Sequence, residues 1–160
     1  METGTEHPHL YRFGFLATDT AGSLSRRPNE RWRLETHGPL EILLHEETDV
    51  RRFDTSSGSA LLLGWAFPIG EGDIETVIER VIASPESGLA DQLSQLSGRF
   101  CLVLQTGQEI RVVTDPFGSR TIYYAAASPG TFASHAELLA THLEARPSAQ
   151  TEAFAQTEGF

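Results

Sequence analysis

The chain has 160 residues, 39% hydrophobic and 21% charged, an ordinary balance for one globular domain that buries about two-thirds of its unfolded surface. A formal net charge of -10 argues against a nucleic-acid partner, because phosphate binding needs Lys/Arg clusters. The nearest approach to one, Arg26-Arg27 and Arg31/Arg33, is interrupted by Pro28 and Glu30.

A single cysteine excludes an intrachain disulfide and a Cys-based zinc site. No apolar run approaches the ~20 residues of a membrane span, so no membrane partner is expected. Met1 to Pro8 is polar and expected to fray. METGTEHPHLY lacks the basic start and apolar stretch of a signal peptide, which makes a cytoplasmic location the default.

Leu10 to Ala17 reads as a first strand interrupted by Gly14, and Thr18 to Asn29, rich in Gly, Ser, Arg and Pro, as a loop. Arg31 to Thr36, Leu40 to Glu46 and Val50 to Asp54 are short strands, with a turn at His37-Gly38-Pro39. Ala60 to Phe67 (ALLLGWAF) is a continuous apolar run of strand length, hence a buried strand. Asp73 is the expected N-cap of a helix with Ile74, Val77, Ile78, Val81 and Ile82 at helical spacing. Ser84 to Gly88 breaks that helix, and Leu89 to Leu96 forms a second with Leu89, Leu93 and Leu96 on one face.

Phe100 to Leu104 and Ile110 to Val113 flank a Gly-bearing turn and read as a hairpin. Asp115-Pro116-Phe117-Gly118 supplies the next turn, since Pro fixes φ and Gly tolerates positive φ. Thr121 to Ala126 and Thr131 to Ala133 would complete a four-strand meander. His135 to Glu144 reads as a helix, Arg146-Pro147-Ser148 as a linker, and Thr151 to Phe160 as the start of another helical pattern.

Leu96-Ser97-Gly98-Arg99-Phe100, then Val113 to Arg120, Tyr123-Tyr124 and Phe132 to Glu137 resemble a family in order and spacing. The family is the class II glutamine amidotransferases, as they occur in the N-terminal domain of asparagine-synthetase-like enzymes. Its pattern runs L-D-G-x-F-A, R-D-x-x-G-x-(K/R)-P-L-Y-Y, F-A-S-E; the first half of the chain is only weakly similar. The resemblance implies an α+β fold of the N-terminal-nucleophile hydrolase type, a four-layer αββα sandwich of two antiparallel sheets flanked by helices. It implies a glutaminase-like domain over 1–145. The segment 146–160 would be a linker and the start of a helix leading to a synthetase domain, or a C-terminal helix.

Active relatives use a chain-terminal cysteine whose own α-amino group activates the thiol. Aligning Gly14 with the second glycine of the family's C-G-I-x-G-x puts that cysteine on Leu10, which has no nucleophile and no free amine. A precursor cleaved to expose Thr3 or Thr5 is the one terminal alternative. The Asn-Gly pair that makes the oxyanion hole corresponds to Leu63-Gly64 before Trp65, so the Asn is missing. The Asp that grips the substrate ammonium is replaced by Ser97, next to Gly98. What persists, namely Asp115, Gly118, Arg120, Tyr123 and Tyr124, looks like turn and packing residues rather than chemistry.

Other side chains have plainer readings. Cys101 lies mid-strand and reads as a core thiol. Trp32 and Trp65 read as core or sheet-face residues, and His45 with Glu46-Glu47 as a strand end in solvent. His7-Pro8-His9 and the pair His135/His142 are the metal-ligand candidates. At i, i+7 the latter sit about 10 Å apart, too far to share one ion. Asp115 with Arg120 could form an active-site pair, but a turn-bracing ion pair is the preferred reading.

The resemblance therefore implies a catalytically inactive glutaminase-like domain of, or accessory to, an ATP-dependent amide-forming ligase of natural-product type. In that case no cofactor belongs to this chain; ATP and Mg²⁺ belong to the implied synthetase domain or subunit, whose S-G-G-x-D signature these residues lack. A homodimer is the oligomeric alternative. Two rivals stand beside this expectation: a binding module using the vacated pocket, and a residual amidohydrolase with a different nucleophile.

Overall fold

The computed structural model describes residues 11–145 and is α+β, with two antiparallel sheets and three helices. In chain order the strands and helices are β1 (Phe15–Thr18), β2 (Trp32–His37), β3 (Leu40–His45), β4 (Val50–Thr55), β5 (Gly58–Pro68), α1 (Ile74–Ala83) and α2 (Glu86–Leu93). They continue as β6 (Leu96–Thr106), β7 (Glu109–Thr114), β8 (Tyr123–Ala125), β9 (Ser128–Ala133) and α3 (Ala136–His142). One sheet runs β2-β3-β1-β9-β8 and the other β4-β5-β6-β7. Among the described residues no helix is long and apolar enough to cross a membrane. The linker, the C-terminal helical pattern, Leu10, Thr3, Thr5 and His7-Pro8-His9 lie outside the described residues.

Successive strand residues face opposite sides, and three apolar clusters use this alternation. Even-numbered positions of β5 and β6, such as Leu62, Phe100, Leu102 and Leu104, pack against Ile74, Ile78, Val81 and Ile82 of α1. Odd-numbered positions of the same strands, Leu61, Leu63, Cys101 and Val103, meet Phe15, Ala17, Ile42 and Leu44 from β1 and β3. On the far side of β1 and β3, Leu16, Leu43 and Ala133 join Leu138 and Leu139 of α3. Each fully buried Leu, Ile or Phe contributes about 1.5–3 kcal/mol relative to exposure, and β5 and β6 are covered on both faces, which makes their pairing the backbone of the core.

The α1 expectation is met in detail: Asp73 caps the helix by accepting from the Thr76 amide at 2.7 Å, and all five apolar positions are buried. Other expectations are corrected. The chain does not form a four-strand meander: β6 pairs with β7 and β8 with β9, but the two hairpins belong to different sheets. Pro116 has no N–H to continue the ladder, and residues 115–120 wind around the Asp115 carboxylate instead of making a tight hairpin. The chain then crosses to the sheet of β1. The first strand starts only at Phe15, because Tyr11 and Phe13 take positive φ in a turn closed by the Gly14 amide on the Tyr11 carbonyl. The second helix begins at Glu86 and ends at Leu93; Leu96 belongs to β6, where it pairs with Pro68. His45 is fully buried rather than solvated, because β3 lies between β2 and β1 and the Trp32 ring packs on its edge at 5.7 Å.

Candidate functional site

β5 and β6 run further than the strands facing them. At Trp65 the face that carries Leu61 and Leu63 is no longer covered, and the indole is 53% exposed. The gap is a cleft of about 440 Å³. Arg12 and Phe13 enter it from the turn before β1, Gly64 and Trp65 from β5, and Arg99 from β6 opposite Trp65. Arg120, Thr121 and Tyr123 come from the crossing segment and β8, Ser134 and His135 from the β9–α3 junction, and Asp49 from the approach to β4.

Arg120 forms the floor. One guanidinium nitrogen donates to the Phe13 carbonyl at 2.6 Å, and its carbon sits 5.6 Å from the centre of the Phe15 ring. Its Nε is buried with no hydrogen-bond partner among the described residues. Burial pulls its pKa below the usual arginine value and nearby Arg99 pulls in the same direction, while Asp49 opposes them. The group stays cationic. No carboxylate among the described residues is within ion-pair distance of Arg120 or of Arg99, whose Nε donates to the Ser119 carbonyl at 3.2 Å. Arg12, by contrast, is paired with Glu47.

The expected Asp115–Arg120 ion pair is absent. The Asp115 carboxylate accepts the Arg120 backbone amide instead, together with the amides of Phe117 and Ser119 and the Ser119 hydroxyl. That arrangement shapes the crossing segment and leaves the Arg120 side chain free to turn into the cleft. Gly64 admits it: with φ +102, a Cβ there would lie 2.9 Å from an Arg120 guanidinium nitrogen and 2.4 Å from the Arg99 carbonyl oxygen.

Of the positions that the resemblance assigns to a glutamine pocket, Gly64 and Trp65 line the cleft. Ser97 and Gly98 do not; they sit further along β6, opposite Phe67 and Ala66. Gly98 is a close-approach glycine, since a Cβ would meet the Trp65 carbonyl oxygen at 2.3 Å. Of the two alternatives read for the tryptophans, Trp32 is core and Trp65 lies on an open sheet face, where it walls the cleft. Gly118 makes the turn, with its amide on the Asp115 carbonyl at 2.8 Å. Tyr123 lines the cleft, and Tyr124 is not a packing residue but 73% exposed.

The cleft contains no thiol. Cys101 lies wholly within the core between the sheets, where burial pushes its pKa up to about 12 against a smaller opposing pull from Arg120. We expect no labelling of native protein by a thiol-specific disulfide reagent over an hour and complete labelling in denaturant. Fast native labelling would place the thiol elsewhere.

Comparison with protein-family models, with curated proteins and with solved structures gives no match.

Ser134 is the one hydroxyl beside a histidine there, with Oγ 2.8 Å from His135 Nδ1. That hydroxyl also accepts the Phe15 amide at 2.8 Å and lies 3.2 Å from the Phe15 carbonyl oxygen, so it braces β1 against β9. Burial and then Arg120 hold the His135 pKa below its ordinary value, against a smaller opposing pull from Glu137. Among the described residues, no three His, Cys, Asp or Glu side chains gather as metal ligands.

The sequence pattern does not single out Arg12, Phe13, Asp49, Arg99, Thr121 or Ser134 as site residues. A signal for Arg99 existed, since it faces Trp65 across a regular antiparallel pair, but recognising it needs the register.

Proposed function

We propose that this chain is a glutaminase-like domain without glutamine hydrolysis, serving as a structural partner of an asparagine-synthetase-like, ATP-dependent amide-forming ligase. The apolar clusters support the finer fold reading. They alternate as α1 with one sheet, sheet with sheet, and sheet with α3, the succession of a four-layer αββα sandwich. Of the motif residues that persist, Asp115 and Gly118 serve the crossing segment and its turn, as a domain retained for shape would use them. ATP and Mg²⁺ are the ligase's cofactors in this reading, and the amine would come from its substrate rather than from glutamine.

The observation that carries it is the content of the cleft: three arginines, Asp49, a histidine and a Ser134 hydroxyl engaged by β1, with the chain's one thiol sealed in the core. Oxyanion stabilisation without a nucleophile does not open an amide. The test is glutamate release from glutamine, followed by a coupled dehydrogenase assay. Release is expected to match the protein-free blank. Release above the blank that disappears in Ser134→Ala would instead make the Ser134–His135 pair a hydrolase and overturn the proposal.

A further inference from the structure

We propose that the cleft is a binding site for an oxyanion carried on a flat apolar body, held between Arg120 and Arg99 and shelved on Trp65. The inference goes beyond the ligase reading and does not depend on it.

A charged side chain out of water is stable only when it is paired or otherwise solvated. Arg120 is half-buried, its Nε fully so and unpartnered, and its one hydrogen bond from the side chain goes to a carbonyl, yet no carboxylate pairs with it among the described residues. A second guanidinium, Arg99, shares the cleft and repels the first. Two like charges brought together by backbone pairing and by the Asp115-centred crossing segment are costly in the empty cleft and favourable around an anion. Guanidinium groups fork onto carboxylate or phosphate oxygens. Asp49 at the rim moderates the charge without neutralising it, because it lies beyond ion-pair distance.

The rest of the wall describes the remainder of the ligand. Phe13, Trp65 and Tyr123 all line the cleft and are exposed by 47%, 53% and 41%. Three large half-exposed aromatic rings around one opening offer stacking faces for a planar group. A cationic ligand, which an aromatic cage alone would welcome, is repelled here by the guanidinium groups. A cleft of about 440 Å³ accepts a single small molecule.

The experiment is isothermal titration calorimetry with three probes: indole-3-acetate, its neutral isostere indole-3-acetamide, and phenyl phosphate. Trp65 fluorescence quenching is followed in parallel. At least one of the two anions is expected to bind at least about tenfold more tightly than the amide, since charge-assisted contacts carry the difference. The better of the two anions identifies the source of the oxyanion. Arg99→Gln, at an exposed position, is expected to weaken the preferred anion about tenfold or more while leaving the amide unchanged. Arg120→Gln should do the same, and an unchanged melting temperature for Arg99→Gln separates lost contact from lost fold. Neither anion binding more tightly than the amide, or no binding of either anion up to about 10 mM, would overturn the proposal. Glutamate release bears only on the hydrolase question, so the two readings fail separately.

Discussion

Asp115→Ala is expected to destabilise the protein by about 2–4 kcal/mol, a fall of roughly 5–15 °C in melting temperature. The carboxylate is 2% exposed and accepts four hydrogen bonds: from the Phe117 amide (3.2 Å), the Ser119 amide (3.1 Å), the Ser119 hydroxyl (2.9 Å) and the Arg120 amide (3.1 Å). An alanine leaves three backbone N–H groups without acceptors. Those of Phe117 and Ser119 lie in an exposed stretch where water can partly replace the oxygen, which keeps the loss from reaching the full sum. Asp115→Asn should fall between, because an amide retains one acceptor oxygen but presents an NH₂ group to donors.

The pH dependence has a definite sign. Burial alone would raise the Asp115 pKa, but the bonds from Ser119, Arg120 and Phe117 outweigh it and hold the carboxyl below its ordinary value. A depressed folded-state pKa means that the ionised carboxylate's contribution is complete above the unfolded value, about 3.9, and is lost as pH falls through the folded one. The difference in melting temperature between wild type and Asp115→Ala is therefore greatest at neutral pH and shrinks in acid. Thermal denaturation at pH 7 and pH 3 checks this; a variant within about 0.5 kcal/mol of wild type at pH 7 would remove Asp115 from its structural role.

Gly64→Ala should have an effect of similar size and a second consequence at the cleft. A Cβ would lie 2.4 Å from the Arg99 backbone oxygen, which cannot give way without breaking the β5–β6 ladder, on a residue already at φ +102. Strain of the backbone and a clash in paired strands together predict a loss of about 2–4 kcal/mol. The Cβ would also press on the Arg120 guanidinium, so the surviving folded fraction should bind the preferred anion more weakly. Gly107→Ala is the control. It also has positive φ, +60, but nothing lies within 4 Å of its Cβ, so only the conformational penalty of about 1 kcal/mol remains. Equal losses for the two variants, by chemical denaturation, would show that contact at Gly64 adds nothing.

Local pattern was legible wherever neighbours in sequence decide structure. The spacing of Ile74, Val77, Ile78, Val81 and Ile82 behind Asp73 defined a helix and its buried face, because a 3.6-residue period and a cap are properties of the segment itself. The unbroken apolar run in β5 announced a buried strand, and Thr106-Gly107 announced the turn between β6 and β7. Leu96 shows the limit of that logic. Leu89, Leu93 and Leu96 fit a helix face, but the backbone groups of residue 96 pair with Pro68, and the ladder across β5 decided the matter.

The amino-acid sequence by itself determined an acidic chain with apolar strand runs, a capped amphipathic helix and a core thiol at Cys101. Only the tertiary structure decided that β7 and β8 part into different sheets, since β9 pairs with β1, more than a hundred residues earlier, through Leu16 and Ala133. It alone placed Arg120 beside Arg99, because their meeting depends on where one sheet ceases to cover the other and on a carboxylate, Asp115, that binds the backbone rather than the neighbouring cation. Charge along a chain is readable as a list, but whether two like charges face water or each other is set by contacts between segments far apart in sequence.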